Sequence, residues 1–321
     1  MVKILCNIYI AGRINIDTII ELSDVFIRGR KYRGRLISKC IGGSGANIAI
    51  AIARFNRGFR LKLIATIGSD HAEYIVSVLA SEGIDTSCLS IYGKSSGEAY
   101  VFIDKNREAT IVTIPNANEY PPDPGRYINI DRMDAVVLAN TTRETALNLI
   151  DIANRKGATI FLDPGVSWFR VDDLANIENE CFILPNRYEF IEIFGFDIDV
   201  HPQNLRNLET RCSIIVKLGA EGAIAIDRRS GKIIRVSPLN LEGLGLDAKT
   251  TAGCGDVFTG VFVAKYLEDK SILSAIEYAS IAAGLKRSRI SSSDAPTRDE
   301  IEKALVSVRR KNLINMIISE I

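Results

Sequence analysis

Histidine is nearly absent from this chain, with only His71 and His201 among 321 residues. The six cysteines, Cys6, Cys40, Cys88, Cys181, Cys212 and Cys254, are scattered and show no C-x-x-C spacing. A zinc site needs clustered imidazoles and thiolates, so these two scarcities together argue against one. A reduced, cytoplasmic protein is the simplest expectation, although the Ile-rich and charge-rich composition has a thermophilic cast that leaves a disulfide open. An excess of one charge is also missing: 40 Lys+Arg against 39 Asp+Glu leave a net charge of +1, without a long basic run. That sets aside a nucleic-acid partner, which needs a concentrated basic footprint, but not a nucleotide, which needs only a few donors. No apolar run is long enough to span a membrane, and residues 1–10 are too short and interrupted for a signal peptide. They read as a first buried strand.

What is present is core material. The chain is 47% hydrophobic and 25% charged, with no repeat or low-complexity tract. Apolar runs predict strands over 61–67, 135–139, 158–163, 181–184 and 213–218. Helical periodicity marks 70–82, 141–156, 256–267, 272–286 and 298–309, with Thr141 and Glu144 forming a capping box on the second. This alternation predicts a doubly wound α/β fold: a mostly parallel sheet flanked by helices, with ligands at the carboxyl ends of its strands. Two stretches break the rhythm, 13–40 and a hairpin-like 97–114 that turns at Lys105-Asn106-Arg107. They are expected to form a small β-sheet lid within one domain spanning 1–321. Exposed lid edges also suit pairing, so a homodimer through the lid is expected.

Three segments carry chemistry. In Thr250-Thr251-Ala252-Gly253-Cys254-Gly255-Asp256-Val257-Phe258-Thr259-Gly260, small residues lead straight into an apolar helix. The first amides of such a helix lack intrahelical partners and, with the dipole, form an anion site. A carboxylate at Asp256 would repel a phosphate there unless it has the task of taking a proton from an attacking hydroxyl. Taken alone, a first-turn Asp favoured by the helix dipole is the simpler account. A second segment has compatible chemistry, however: Ile41-Gly42-Gly43-Ser44-Gly45-Ala46-Asn47 again sets glycines before an apolar helix, 48–55, and Asn47 offers both donor and acceptor to a polyol. Gly12-Arg13-Ile14-Asn15-Ile16-Asp17 places an amide and a carboxylate two apart, on one face of an extended segment.

With these segments in place, the sequence resembles the ribokinase family of carbohydrate kinases, which includes adenosine, fructose and ketodeoxygluconate kinases. Gly12 to Asp17 and Gly42 to Asn47 are similar to its two substrate motifs. Ile67-Gly68-Ser69-Asp70 and the run from Glu82 to Leu89 resemble the strand and helix ends that follow. Pro185-Asn186-Arg187-Tyr188-Glu189 looks like the Pro-Asn-x-x-Glu element. Lys217-Leu218-Gly219-Ala220-Glu221-Gly222 resembles the nucleotide-binding turn, and Gly253-Cys254-Gly255-Asp256 the terminal anion-hole signature. The match runs over nearly the whole chain, in order.

The resemblance implies ATP-dependent phosphorylation of a hydroxyl on a small sugar or sugar derivative, with Mg²⁺. Asn15, Asp17, Gly42, Gly43 and Asn47 would hold the sugar. Asn186 and Glu189 would organise the metal and phosphates through water, with Glu189 as the metal-side residue. Lys217, Gly219, Gly222 and Thr251 would line the nucleotide. Gly253, Cys254 and Gly255 would present amides to the transferring phosphoryl, with Asp256 as base. A nucleoside kinase is the alternative, needing an apolar wall for a base, for which Tyr100, Phe102 and Trp168 are candidates. A non-catalytic sugar- or nucleotide-binding regulator is another, and the joint presence of Asp256, Asn186 and Glu189 counts against it. Departures bear on substrate and cations. Thr250 stands where the family usually has an acid that helps bind a monovalent cation, which weakens the expectation of potassium activation. Ser44 replaces a frequent Lys, Asn140-Thr141-Thr142 lacks a Glu directed at ribose, and Ile290-Ser291-Ser292 lacks a common Gly. Cys254 replaces a usual Ala, and a thiol at a helix N-terminus is expected to have some thiolate character.

Overall fold

Ala135–Ala139 and Thr159–Asp163 show no polar alternation, and every residue in them is buried. That is what a strand covered by helices on both faces requires. The computed structural model describes residues 6–123, 128–165, 171–208 and 210–320. The chain begins with β1 (Asn7–Gly12), β2 (Asn15–Leu22), β3 (Gly34–Gly42) and α1 (Ser44–Phe55). β4 (Arg60–Ile67), α2 (Ala72–Ser81), β5 (Ile84–Asp85) and β6 (Leu89–Ile91) follow. Next come the hairpin β7 (Gly97–Ile103) and β8 (Ala109–Ile114), then β9 (Ala135–Ala139), α3 (Arg143–Lys156), β10 (Thr159–Asp163) and the short α4 (Val171–Leu174). β11 (Cys181–Ile183), α5 (Arg187–Phe194), β12 (Ser213–Lys217), β13 (Ala223–Asp227) and β14 (Lys232–Val236) lead to the C-terminal elements. These are α6 (Cys254–Asp269), α7 (Ile272–Arg287), α8 (Arg298–Lys311) and β15 (Met316–Glu320).

The main sheet runs β15-β14-β13-β12-β11-β10-β9-β1-β4-β5, with β6 also on β4. It is parallel from β12 to β5 and antiparallel from β12 out to β15. Strand order reverses around β1, which lies between β4 and β9, and a crevice opens at such a switch point. Gly12, Ala139 and Asp163 stand in register there, so three strand ends share one rim.

The second sheet, β3-β2-β7-β8, forms from the two stretches that break the βα rhythm. Its β2–β7 pair is parallel and its outer pairs antiparallel. Alternation along β7 decides what faces where. Val101 and Ile103 turn inward and pack with Ile19 and Ala252, whereas Tyr100 and Phe102 occupy the opposite face.

The structure moves some expected boundaries. α3 starts at Arg143 on Thr142, whose hydroxyl accepts from the Thr145 amide, so the Thr141/Glu144 capping box is not formed. Thr141 is instead buried. Genuine capping boxes occur at Asn186/Glu189 and Thr297/Glu300. Cys181 and Cys212 are joined as a disulfide at the starts of neighbouring strands, so the simplest expectation of a reduced protein gives way to the pairing that the composition left open. Among the described residues no helix is long and apolar enough to cross a membrane. Residues 1–5 of the expected first strand, and Trp168, lie outside the described residues.

Candidate active site

α1 and α6 are both entered through glycines, and they lie side by side because Gly260 lets them. A Cβ at Gly260 would come within 2.7 Å of Ala51 Cβ and 2.9 Å of the Ile48 carbonyl oxygen. Their N-termini therefore meet at the strand rim. Gly253 caps α6 with φ 75°, in the left-handed region. A side chain there would also meet the Ser292 carbonyl oxygen at 2.2 Å. Among the described residues, the amides of Gly253, Gly255 and Asp256 have no hydrogen-bond partner, which leaves an anion site. The Cys254 amide, expected to be a donor to the phosphoryl group, donates to the Thr251 carbonyl at 3.3 Å in this structure. Its thiol also departs from expectation. Burial pushes it up, against the pull of Lys286 and Arg287, so it is less thiolate-like than an ordinary cysteine.

Asp256 sits in the first turn of α6, and Asn47 in the first turn of α1 donates to it through Nδ2 at 2.7 Å. Burial, and then the Asp163 carboxylate, push the Asp256 carboxyl up to about 6. Beneath it Lys217 donates to Asp163 Oδ2 at 2.6 Å and to Thr259 Oγ1 at 3.3 Å. Burial pulls the Lys217 ammonium down, but Asp163 and Glu189 outweigh it and leave it above its usual value. Glu189 is raised by burial despite Lys217. One of its carboxylate oxygens accepts from the Asn186 amide at 2.8 Å, and Asn186 Oδ1 accepts from the Glu189 amide at 2.9 Å. The Pro-Asn-x-x-Glu element is thus a helix cap that aims a carboxylate at the rim.

Near the N-terminus of α1, Asp17 is 4% exposed and accepts from the Ser292 hydroxyl through Oδ2. Burial lifts it to about 6, opposed by that hydrogen bond and reinforced by Asp256. Gly42 makes room for it, since a Cβ at Gly42 would fall 2.0 Å from Asp17 Oδ2. Gly43, at φ 88°, caps α1 and passes close to the Arg13 carbonyl. Asn15 Oδ1 accepts from Asn118 Nδ2 at 2.8 Å. Asp17 Oδ1 and Asn47 Oδ1 are both buried without a partner among the described residues. Buried acceptors in that condition are costly unless a ligand supplies donors, and a polyol does.

A cavity of about 560 Å³ adjoins Asp256. Asn186, Glu189, Lys217, Gly219, Gly222, Thr251, Cys254, Gly255 and Asp256 line it, whereas Asn15, Asp17, Gly42, Gly43, Asn47 and Gly253 are not part of its lining. Its lining also includes the apolar Leu239, Leu241, Phe258 and Ala283, and the Ser280 hydroxyl, which is buried without a partner among the described residues. That combination fits a heterocycle with hydrogen-bonding edges. Lys217 meets the cavity already engaged with Asp163, so it acts on the site through its charge more than through a free donor. Thr251 ties the anion loop to the second sheet: its hydroxyl accepts from the Ala109 amide at 3.1 Å and donates to Glu108 at 3.3 Å. No group of three or more His, Cys, Asp or Glu side chains gathers as a metal cage among the described residues. Carboxylates at the rim therefore fit a magnesium ion held mostly by phosphate oxygens and water.

Sequence reasoning missed Asp163, Asn118, Ser292 and Thr259. Asp163 had a signal, as the charged end of an apolar strand before Pro164-Gly165; the others act through contacts distant in sequence.

The model of the pfkB family carbohydrate kinases matches residues 7–298. The chain is 27% identical over 306 residues to the ribokinase of Haemophilus influenzae, covering 91% of this chain and 95% of that one. It is 26% identical over 318 residues to an ATP-dependent ribose-1-phosphate kinase of Halopiger xanaduensis, again covering 91% and 95%. The fold matches that of Cryptococcus neoformans ribokinase, solved in complex with ADP, with a TM-score of 0.79 at 22% identity over 94% of this chain and 100% of that one. With the family match spanning the sheet, the glycine-led helices and the rim carboxylates, this chain belongs to the pfkB family of carbohydrate kinases, phosphotransferases with an alcohol group as acceptor.

Proposed function

We propose that the protein transfers the terminal phosphoryl group of ATP to a hydroxyl of a small sugar or sugar derivative, with Asp256 as general base. One observation carries the reading: a carboxyl raised to about 6 sits at the helix N-terminus whose Gly253, Gly255 and Asp256 amides are unpaired. A base near neutrality beside an anion site suits deprotonation of an alcohol during in-line transfer. Asp17 Oδ1 and Asn47 Oδ1 accept hydroxyl protons of the sugar and fix it, while Asn47 Nδ2 aims Asp256. The adjoining cavity would hold the nucleotide, with Leu239 and Leu241 offering apolar contact to its base and the Gly255 amide a donor to its phosphates. The carboxylates of Glu189 and Asp163 would hold a magnesium ion through water, and such an ion would supply positive charge against the negative charge of the phosphates. The amides of Gly253 and Gly255 stabilise that charge as it develops, without reorganisation. The second sheet acts as a lid, keeping water from the phosphoryl group.

A nucleoside acceptor finds less support, because Tyr100 and Phe102 face away from the crevice. The outer lid face, that of Tyr100 and Phe102, also exposes Leu36 and Val112, which suits pairing of two lids in a homodimer. Sedimentation would show a dimer that Val112→Glu dissociates.

The decisive test is Mg²⁺-ATP with a panel of pentoses, hexoses, sugar acids, sugar phosphates and nucleosides, reading ADP release beside an Asp256→Asn control. Turnover on one sugar class, lost in the control, is expected. Turnover confined to nucleosides would overturn the acceptor assignment, and ATP binding without turnover on any acceptor would favour a regulator.

A further inference from the structure

Lys286, in the last turn of α7, is 0% exposed. Its ammonium donates to the main-chain carbonyls of Ala252 at 2.8 Å and Arg289 at 3.4 Å. Both partners are neutral, and no ion pair to Lys286 forms among the described residues. A buried ammonium held only by carbonyls loses much of its hydration, and an apolar side chain would fill the space without that loss. Such a position calls for a task.

The task follows from which carbonyl it holds. Ala252 C=O and Gly253 N–H belong to one planar trans peptide, so they point in opposite directions. A cation on the oxygen fixes that plane, polarises it, and aims the Gly253 amide into the anion site. That amide is one of the unpaired set. The surroundings are closed to a second cation of the same kind. Thr250 is 0% exposed and carries no charge, and its hydroxyl accepts from the Ala252 amide at 3.1 Å. The Arg287 carbonyl, the next along the rim, already accepts from the Lys249 and Thr250 amides at 2.7 and 3.3 Å. The acid that would accompany a bound monovalent ion is therefore replaced by a threonine, and a positive charge is supplied by the chain itself.

We propose that Lys286 is the positioning residue of the anion hole, a built-in cation that takes the place of an activating monovalent ion, so that turnover requires no potassium. The proposal rests on the kinase reading above. The experiment measures ADP release by the full chain in K⁺, Na⁺ or choline at fixed ionic strength, for wild type, Lys286→Met and Lys286→Ala. Wild type should vary less than twofold across the salts. Lys286→Met keeps the volume without the charge, and its kcat should fall about 100-fold, in the range found for loss of one such donor, with acceptor KM nearly unchanged. Lys286→Ala opens a space, and K⁺ or ammonium should restore at least tenfold of its lost kcat. Wild-type turnover that rises several-fold with K⁺ overturns the proposal, even if neither variant folds. So does a folded Lys286→Met with near-normal kcat, or a loss in Lys286→Ala that no cation relieves, which would make Lys286 a packing residue. Wild type without turnover on any acceptor would instead bring down the kinase reading itself, and this inference with it.

Discussion

Substituting Asp256 by Asn preserves the shape of the side chain and an acceptor for Asn47 Nδ2, but removes the group that takes the proton. General-base catalysis contributes roughly 10²–10⁴-fold, so kcat should fall about 10³-fold while acceptor KM stays within about threefold. Stability should move the other way. Asp256 is raised from 3.8 to about 6, first by burial and then by Asp163. A raised folded pKa means that the folded state binds the proton more tightly than the unfolded chain. The associated stability is fully present below about 3.8 and is lost as pH rises through about 6. At pH 8 the buried carboxylate therefore costs up to about 3 kcal/mol, less whatever cavity water screens. Asn carries no such cost. The variant should melt several degrees higher than wild type at pH 8, and the difference should shrink toward zero near pH 4. A coupled ADP-release assay and thermal melts at the two pH values check both halves. Near-normal turnover would refute the assignment of the base. A variant destabilised equally at both pH values would refute the electrostatic account of the raised carboxyl.

Asp17 and Asp256 are both lifted to about 6, and Asp256 is one cause for Asp17, so the acid limb of kcat/KM should fall more steeply than one ionisation allows. Asp17→Asn should reduce the limb to a single ionisation and raise acceptor KM, which a pH–rate profile from about 5 to 9 would measure. Gly253→Ala forces a side chain to φ 75° and toward the Ser292 carbonyl at 2.2 Å. It should lower kcat by more than about 100-fold while sugar binding, read by calorimetry, survives. The Cys181–Cys212 disulfide closes a loop of 31 residues, so its reduction should lower unfolding stability by roughly 3–4 kcal/mol. Thiol titration of the unreduced, denatured chain should then find Cys6, Cys40, Cys88 and Cys254 alone reactive.

The doubly wound core was legible because its strands are continuous apolar runs, as at Ala135–Ala139, and its helices carry clean periodicity. The glycine-led segments were legible for a different reason: Gly253 and Gly43 stand at positive φ where few other residues serve. What could not be read was set by long-range contact. Thr141 and Glu144 satisfy the spacing of a capping box, yet burial of Thr141 shifts the cap to Thr142. Cys254 stands at a helix N-terminus, which favours a thiolate, but the dry wall around it pushes the thiol the other way. Ser292 reaches Asp17 across 275 residues, a pairing that no local pattern encodes.

The charges under the rim explain why such contacts matter. Asp163, Glu189 and Asp256 share the neighbourhood of one buried ammonium, Lys217, so negative charge is left in surplus. Lys217 bonds to Asp163, and Asp256 is left to Asn47, a neutral donor that cannot compensate a full charge. Shifting Lys217 onto Asp256 would hold the base ionised but weaken it as a proton acceptor. Pairing it with Asp163 instead leaves Asp256 near 6, basic enough to take a proton and still ionised at neutral pH. Such a surplus would attract the metal that accompanies a nucleotide, while among the described residues no cluster forms that would cage a metal by itself. On the far side of the anion loop Lys286 holds a carbonyl rather than a carboxylate, so its charge stays directed at the loop. The two lysines divide the work in the proposed reaction: Lys217 leaves Asp256 basic, and Lys286 aims the Gly253 amide that would donate to the phosphoryl oxygens.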